Sequence, residues 1–141
     1  MSTMSAERLT QSMTLRITPD MDRRIEGEAA ARGIPTHQAA RLLIDEALRS
    51  REFPGIVFRD GPAGRRPSLE GALDVWEVID TWGAWNGDDA AVCRQLGIRR
   101  DQLTIALAYY RRYQKEIDFW IRRNVEEADR LLGEAELSPG A

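Results

Sequence analysis

From Ser12 to Ile17 the chain alternates, with Met13, Leu15 and Ile17 apolar and Ser12, Thr14 and Arg16 polar. A period of two is the pattern of a strand with one face buried and the other wet. Pro19, Asp20 and Asp22 follow at once, and that chemistry favours the start of a helix. The strand is therefore short, and a lone strand of this length does not hold itself in water. Whatever fold the chain adopts must supply this segment with a neighbour.

The next residues offer helices rather than a second strand. Met21, Ile25 and Ala29 recur every four residues, and Gly33 ends the run in the manner of a helix C-terminus. "GIPT" is a short turn, with Thr36 a candidate N-cap. A second helix is expected from about His37 to Arg51, where Ala40, Leu43, Ile44, Ala47 and Leu48 are spaced i, i+3, i+4, i+7, i+8. One strand and two helices in about 40 residues cannot bury all of these apolar faces. Pairing the strand with a copy of itself removes the difficulty. Two chains would form a two-stranded antiparallel ribbon backed by four helices. Leu15, Ile17, Ile25, Leu43, Ile44 and Leu48 would make the dimer core, and Ser12, Thr14 and Arg16 would stand outward beside their symmetry mates. The plainer alternative is a solvent-facing edge strand on which Thr14 and Arg16 are merely β-compatible and soluble.

Residues 12–51, carried by "TLRITPDMDRRIEGEAAARGIPTHQAARLLIDEAL", resemble a ribbon-helix-helix protein of the Arc/MetJ/CopG type. The resemblance implies that the ribbon enters the major groove of double-stranded operator DNA. It makes Thr14 and Arg16, with Ser12, the base-reading residues, since Arg can bond guanine bidentately and Thr can bond or touch a thymine methyl. It also implies a phosphate grip by the backbone at the start of the second helix, at Thr36 and His37. Pro35 and Thr36 stand where members often carry a Ser-rich turn.

After Glu52 the texture changes. "FPGIVFRDGPAGRRP" has three prolines and three glycines around the β-like run Ile56 to Phe58, and it predicts a strand or hairpin opening a second domain over 53–133. Residues 74–85 read as a helix with Asp74 as N-cap and Val75, Val78, Ile79 and Trp82 inward; Asn86-Gly87 stops it. A short helix over 88–96 ends at Gly97. A long one then starts near Arg99 to Asp101 and runs past residue 130, with a kink or break expected near Gln114 to Glu116. Residues 1–11 are expected to be disordered and 134–141 to fray. The fold class is thus mainly α, a ribbon-helix-helix dimer plus a helical, helix-turn-helix-like C-terminal domain.

This second half is similar to a small bacterial domain family of uncharacterised function. Members usually open with His-Pro-Gly, where this chain has Phe53, and often carry Pro where it has Gln114. A chain joining the two domains resembles a VapB-type antitoxin. The resemblance implies a homodimer that represses its own operon and neutralises a PIN-like ribonuclease toxin through its C-terminal half. Trp76, Trp85, Tyr109, Tyr113 and Trp120 are candidate partner contacts, because aromatics are enriched at interfaces; a small core needs the same residues. The charged, amphipathic segment 115–133 has three open roles: crossing a toxin groove, closing the dimer, or intrachain ion pairing. A stand-alone repressor without a toxin, and a dimeric assembly module without DNA, remain open as functions.

Charge does not decide between them. The net charge is −3, and basic and acidic residues are close to balanced in each third of the chain. DNA contact must therefore rest on the local placement of arginines. Lys115 is the only lysine. Arg99, Arg100, Arg111 and Arg112 lie near Asp88, Asp89 and Asp101, as on a solvated charged face. His37 is the single histidine, Cys93 the single cysteine, and no phosphate loop, Cys-x-x-Cys or His-Glu metal motif appears. The expectation is a cytoplasmic protein without enzymatic activity, cofactor, metal or membrane span.

Overall fold

A computed structural model describes residues 8–61 and 63–137. The chain divides between Pro54 and Gly55 into two compact units. It is mainly helical. Six helices and one two-stranded antiparallel sheet are present among the described residues.

The N-terminal unit is a helical hairpin. Helix α1 spans Pro19–Arg32, and the Thr18 hydroxyl caps it by accepting from the Met21 N–H at 3.1 Å. Gly33, at φ 65°, ends it in the left-handed conformation, where its N–H reaches the carbonyls of Ala29 and Ala30. Helix α2 spans Thr36–Glu52. Pro35 occupies the N-cap position, so Thr36 is the first helical residue and not the expected cap. Proline has no side-chain acceptor, and this N-terminus carries no side-chain capping bond and no acidic residue in its first turn. Ala29 and Ala39 are the buried apolar residues of the two helices, and Arg32 joins them by approaching Glu46 at 3.6 Å. The strand expected over 12–18 is not formed within the single chain, where 8–18 carries no regular structure. A strand exists only in a ladder, and α1 and α2 offer no second edge. Residues 1–7, where disorder was expected, lie outside the described residues.

The C-terminal unit opens with the expected hairpin. Strand β1 (Ile56–Arg59) pairs with β2 (Arg66–Leu69), with Ile56 opposite Leu69 and Arg59 opposite Arg66. Helix α3 (Val75–Ala84) packs against α4 (Asp89–Leu96), α5 (Arg100–Arg112) and α6 (Gln114–Leu137). Asp88 caps α4 by accepting from the Ala91 N–H, and Gly97 ends it at φ 66°. The core contains Ile56, Leu69, Val75, Val78, Val92, Leu103, Tyr109 and Ile117.

Asp74 ties the hairpin to α3. Its carboxylate accepts from the Ser68 hydroxyl at 2.6 Å, from Arg66 Nε at 2.6 Å, from Arg59 Nη2 at 3.2 Å and from the Trp76 indole at 3.3 Å. Its own N–H donates to the Glu77 carboxylate at 3.0 Å. The expected cap residue is thus also the electrostatic centre of the unit.

The expected interruption falls at Tyr113, the residue between α5 and α6. Two hydrogen bonds cross the bend: Tyr109 donates to Glu116 at 2.7 Å, and Tyr110 donates to Asp118 at 2.8 Å. Burial of Tyr110, then its bond to the Asp118 carboxylate, holds the phenol above its ordinary pKa. Tyr109 and Glu116 are both buried. Removing the hydroxyl with Tyr109→Phe takes one donor from a buried carboxylate and should cost about 1–3 kcal/mol, read from urea unfolding followed by tryptophan fluorescence. Helix α6 continues through Leu137, so residues 134–137 are helical rather than frayed. Residues 138–141 lie outside the described residues. Among the described residues, no helix is long and apolar enough to cross a membrane.

Candidate nucleic-acid interface and its apolar backing

Of the apolar residues in the 12–17 segment, Leu15 and Ile17 line a groove, whereas Met13 is 81% exposed and does not. This largely apolar groove of about 560 Å³ is also lined by Met21, Arg24, Ile25 and Glu28 of α1 and by Ala40, Leu43, Ile44 and Ala47 of α2. The groove is open. Leu15 remains 56% exposed, Ile44 46% and Leu48 62%. Of the six expected dimer-core residues, Leu15, Ile17, Ile25, Leu43 and Ile44 share this groove; Leu48 lies one turn beyond Ile44 on α2 and is not among its lining.

Ser12, Thr14 and Arg16 are all exposed. Among the described residues Arg16 makes no ion pair. Other arginines of the unit do: Arg23 and Arg24 reach Asp20, Arg32 reaches Glu28 and Glu46, and Arg49 reaches Asp45 at 2.8 Å. Four of the seven arginines described besides Arg16 are thus engaged with carboxylates, and Arg16 is available to an external anion or base edge.

Thr36 and His37 are exposed at the start of α2. The first backbone bond into the helix is from the Ala39 N–H to the Pro35 carbonyl. The N–H groups before it point out of the helix end, as at any N-terminus without a side-chain cap, and the first turn of α2 holds no acidic residue to offset the positive end of the helix.

The aromatic residues of the C-terminal unit split into two groups. Trp85 is 46% exposed, and Trp76 and Tyr113 are half-buried. Tyr109, with no exposure, and Trp120, at 6%, are corrected from candidate partner contacts to core residues. Tyr109 stacks at a tilt on Tyr113 with ring centroids 4.8 Å apart, and Trp120 meets Phe119 edge-on. Helices α5 and α6 each pack against more than one neighbour, so their buried faces are wide enough to take in both residues.

His37 and Cys93 lie on different units, and among the described residues no group of three or more His, Cys, Asp or Glu is arranged to hold a metal ion. Comparison of the chain with family models, curated proteins and solved structures finds no match.

Proposed function

We propose that the chain is a DNA-binding antitoxin. Two copies pair their 12–18 segments into an antiparallel ribbon, the ribbon reads operator DNA with Ser12, Thr14 and Arg16, and the C-terminal half holds a PIN-type ribonuclease toxin. The observation that carries the DNA-binding half is the division of residues 12–17 across the groove. Leu15 and Ile17 line an open apolar groove, and Thr14 and Arg16 are exposed and do not line it. A second copy laid on the groove by two-fold symmetry would bury both sets of apolar residues and would supply each strand with its ladder. Thr14 and Arg16 would then form one outward polar row with their mates, of a width that a major groove admits. Thr36 and His37 at the uncapped start of α2 suit a phosphate oxygen. The toxin partner rests on the resemblance of the joined domains; Trp85, with Trp76 and Tyr113, offers the aromatic contact area.

The deciding experiment is binding of the full chain to the promoter of its own gene. Arg16→Ala should lose about 1–3 kcal/mol of specific affinity while far-UV circular dichroism and thermal stability stay unchanged. Affinity and sequence preference equal to the wild type would refute base reading by the ribbon. Co-purification from the native host with a PIN-like nuclease tests the second half of the proposal.

A further inference from the structure

The C-terminal part of α6 is exposed on all sides. Ile117 and Trp120 of its first turns are buried in the domain and Ile121 is half-buried, but residues 122–132 are all exposed. Val125 is 52% exposed, Leu131 52% and Leu132 64%. A helical segment of roughly 15 residues is marginal in water without a packing partner.

Its sequence carries the spacing of a packing seam. Ile121, Val125, Ala128, Leu132 and Ala135 follow one another at intervals of four, three, four and three, the a/d repeat of helices that pack side by side. At 100° per residue all five fall within an arc of about 80°, and the stripe continues from Ile117 in the domain core. The two edges of this stripe differ. One edge carries Lys115, Arg122, Asp129 and Glu136, with the basic pair toward the N-terminal end and the acidic pair toward the C-terminal end. The other carries Asn124 and Leu131 and no charge. The ion pairs of the segment, Arg130 with Glu127 and with Glu134, lie on the opposite face and leave both edges clear.

We infer that this segment packs antiparallel against the same segment of a second copy. In an antiparallel pair, like edges meet. Aligning Val125 with Ala128 of the second copy also aligns Ile121 with its Leu132, and Ala128 and Leu132 with its Val125 and Ile121. The charged edges then face each other head to tail: Arg122 meets Asp129 of the second copy and Lys115 meets its Glu136, each twice by symmetry. In a parallel pair the charged edge would face Asn124 and Leu131 and gain nothing. The seam is independent of the ribbon and of DNA binding, and it provides a second surface of self-association at the other end of the chain.

Disulfide trapping with the full chain tests both partner and direction. In a Cys93→Ser background, Ile121→Cys and Leu132→Cys chains are mixed, equilibrated and oxidised. The antiparallel seam places residue 121 of one chain beside 132 of the other, and holds 121 from 121, and 132 from 132, about 16 Å apart along the axis. The mixture should cross-link efficiently, and each variant alone should give only the collisional background. Arg122→Glu in both chains should lower the yield about threefold, and adding Asp129→Arg should restore it. Cross-linking of each variant with itself would mean a parallel seam, and a mixture no better than background would mean that another protein, or nothing, covers α6; either result overturns the inference, as does a yield indifferent to Arg122→Glu.

Discussion

Asp74→Ala should destabilise the C-terminal unit by about 3–5 kcal/mol, the cost of removing one partner from a largely buried charge network. Four donors converge on this carboxylate. Ser68 is fully buried and has no water to turn to, and Arg66 is mostly covered; Arg59, with 46% of its side chain exposed, can rehydrate. The loss is therefore expected to come mainly from Ser68, Arg66 and the cap of α3. Asp74→Asn keeps the shape and remains a good N-cap residue, so its smaller loss isolates the charge. Burial draws the Asp74 carboxyl upward, but the hydrogen bond from Ser68 and the charges of Arg66 and Arg59 outweigh it and hold the pKa below the ordinary value. The folded state thus binds fewer protons than the unfolded state. The contribution is complete above the unfolded pKa, near 4, and disappears as pH falls through the lower folded value. Urea titrations between pH 7 and pH 2 should show the wild type losing this stability below about pH 4, and Asp74→Asn losing less. All four tryptophans lie beyond Gly55, so their fluorescence reports this unit alone. A pH profile identical in the two proteins would show that the arginines gain nothing from the charge.

Leu15→Glu should weaken association through the N-terminal unit by a factor on the order of 100 or more. Two-fold symmetry would bring two carboxylates, one from each chain, into an apolar interface, and an unpaired buried charge costs several kcal/mol. The single-chain fold should not suffer, because Leu15 is 56% exposed in it. The measurement belongs in a Val125→Glu, Leu132→Glu background, which removes the α6 seam and leaves only the N-terminal surface. Sedimentation equilibrium should then show monomers for Leu15→Glu and dimers for Thr14→Ala, whose side chain faces outward. A dimer as tight as the parent's would refute the ribbon.

How far the sequence reached depends on how local each signal was. Gly33 and Gly97 as helix ends, Asp74 as a cap and the apolar stripe of α2 are set within a few residues, and all were legible. The role of Asp74 as a hub was not. Ser68, Arg66 and Arg59 reach it only once β1 and β2 have paired, and nothing in their spacing announces a common partner. Thr36 misled because a hydroxyl beside a turn suggests a cap, whereas Pro35 had already set the extended backbone one residue earlier. Tyr109 misled for a different reason: it sits off the line through Leu103 and Leu107, yet contacts from α3 and α6 cover two sides of α5. The groove residues were named individually from periodicity, but the degree to which they stay open in one chain is a property of how α1 and α2 cross.

The two tyrosines at the bend between α5 and α6 also set a direction. Helix α6 has 24 residues, so its tip lies about 36 Å from Tyr113. A change of 10° at the bend would sweep that tip through about 6 Å, more than a full helical turn. Tyr109 and Tyr110 are the fulcrum of this lever, and small repacking around them in variants would re-aim the tip of α6 while leaving the domain that holds it intact.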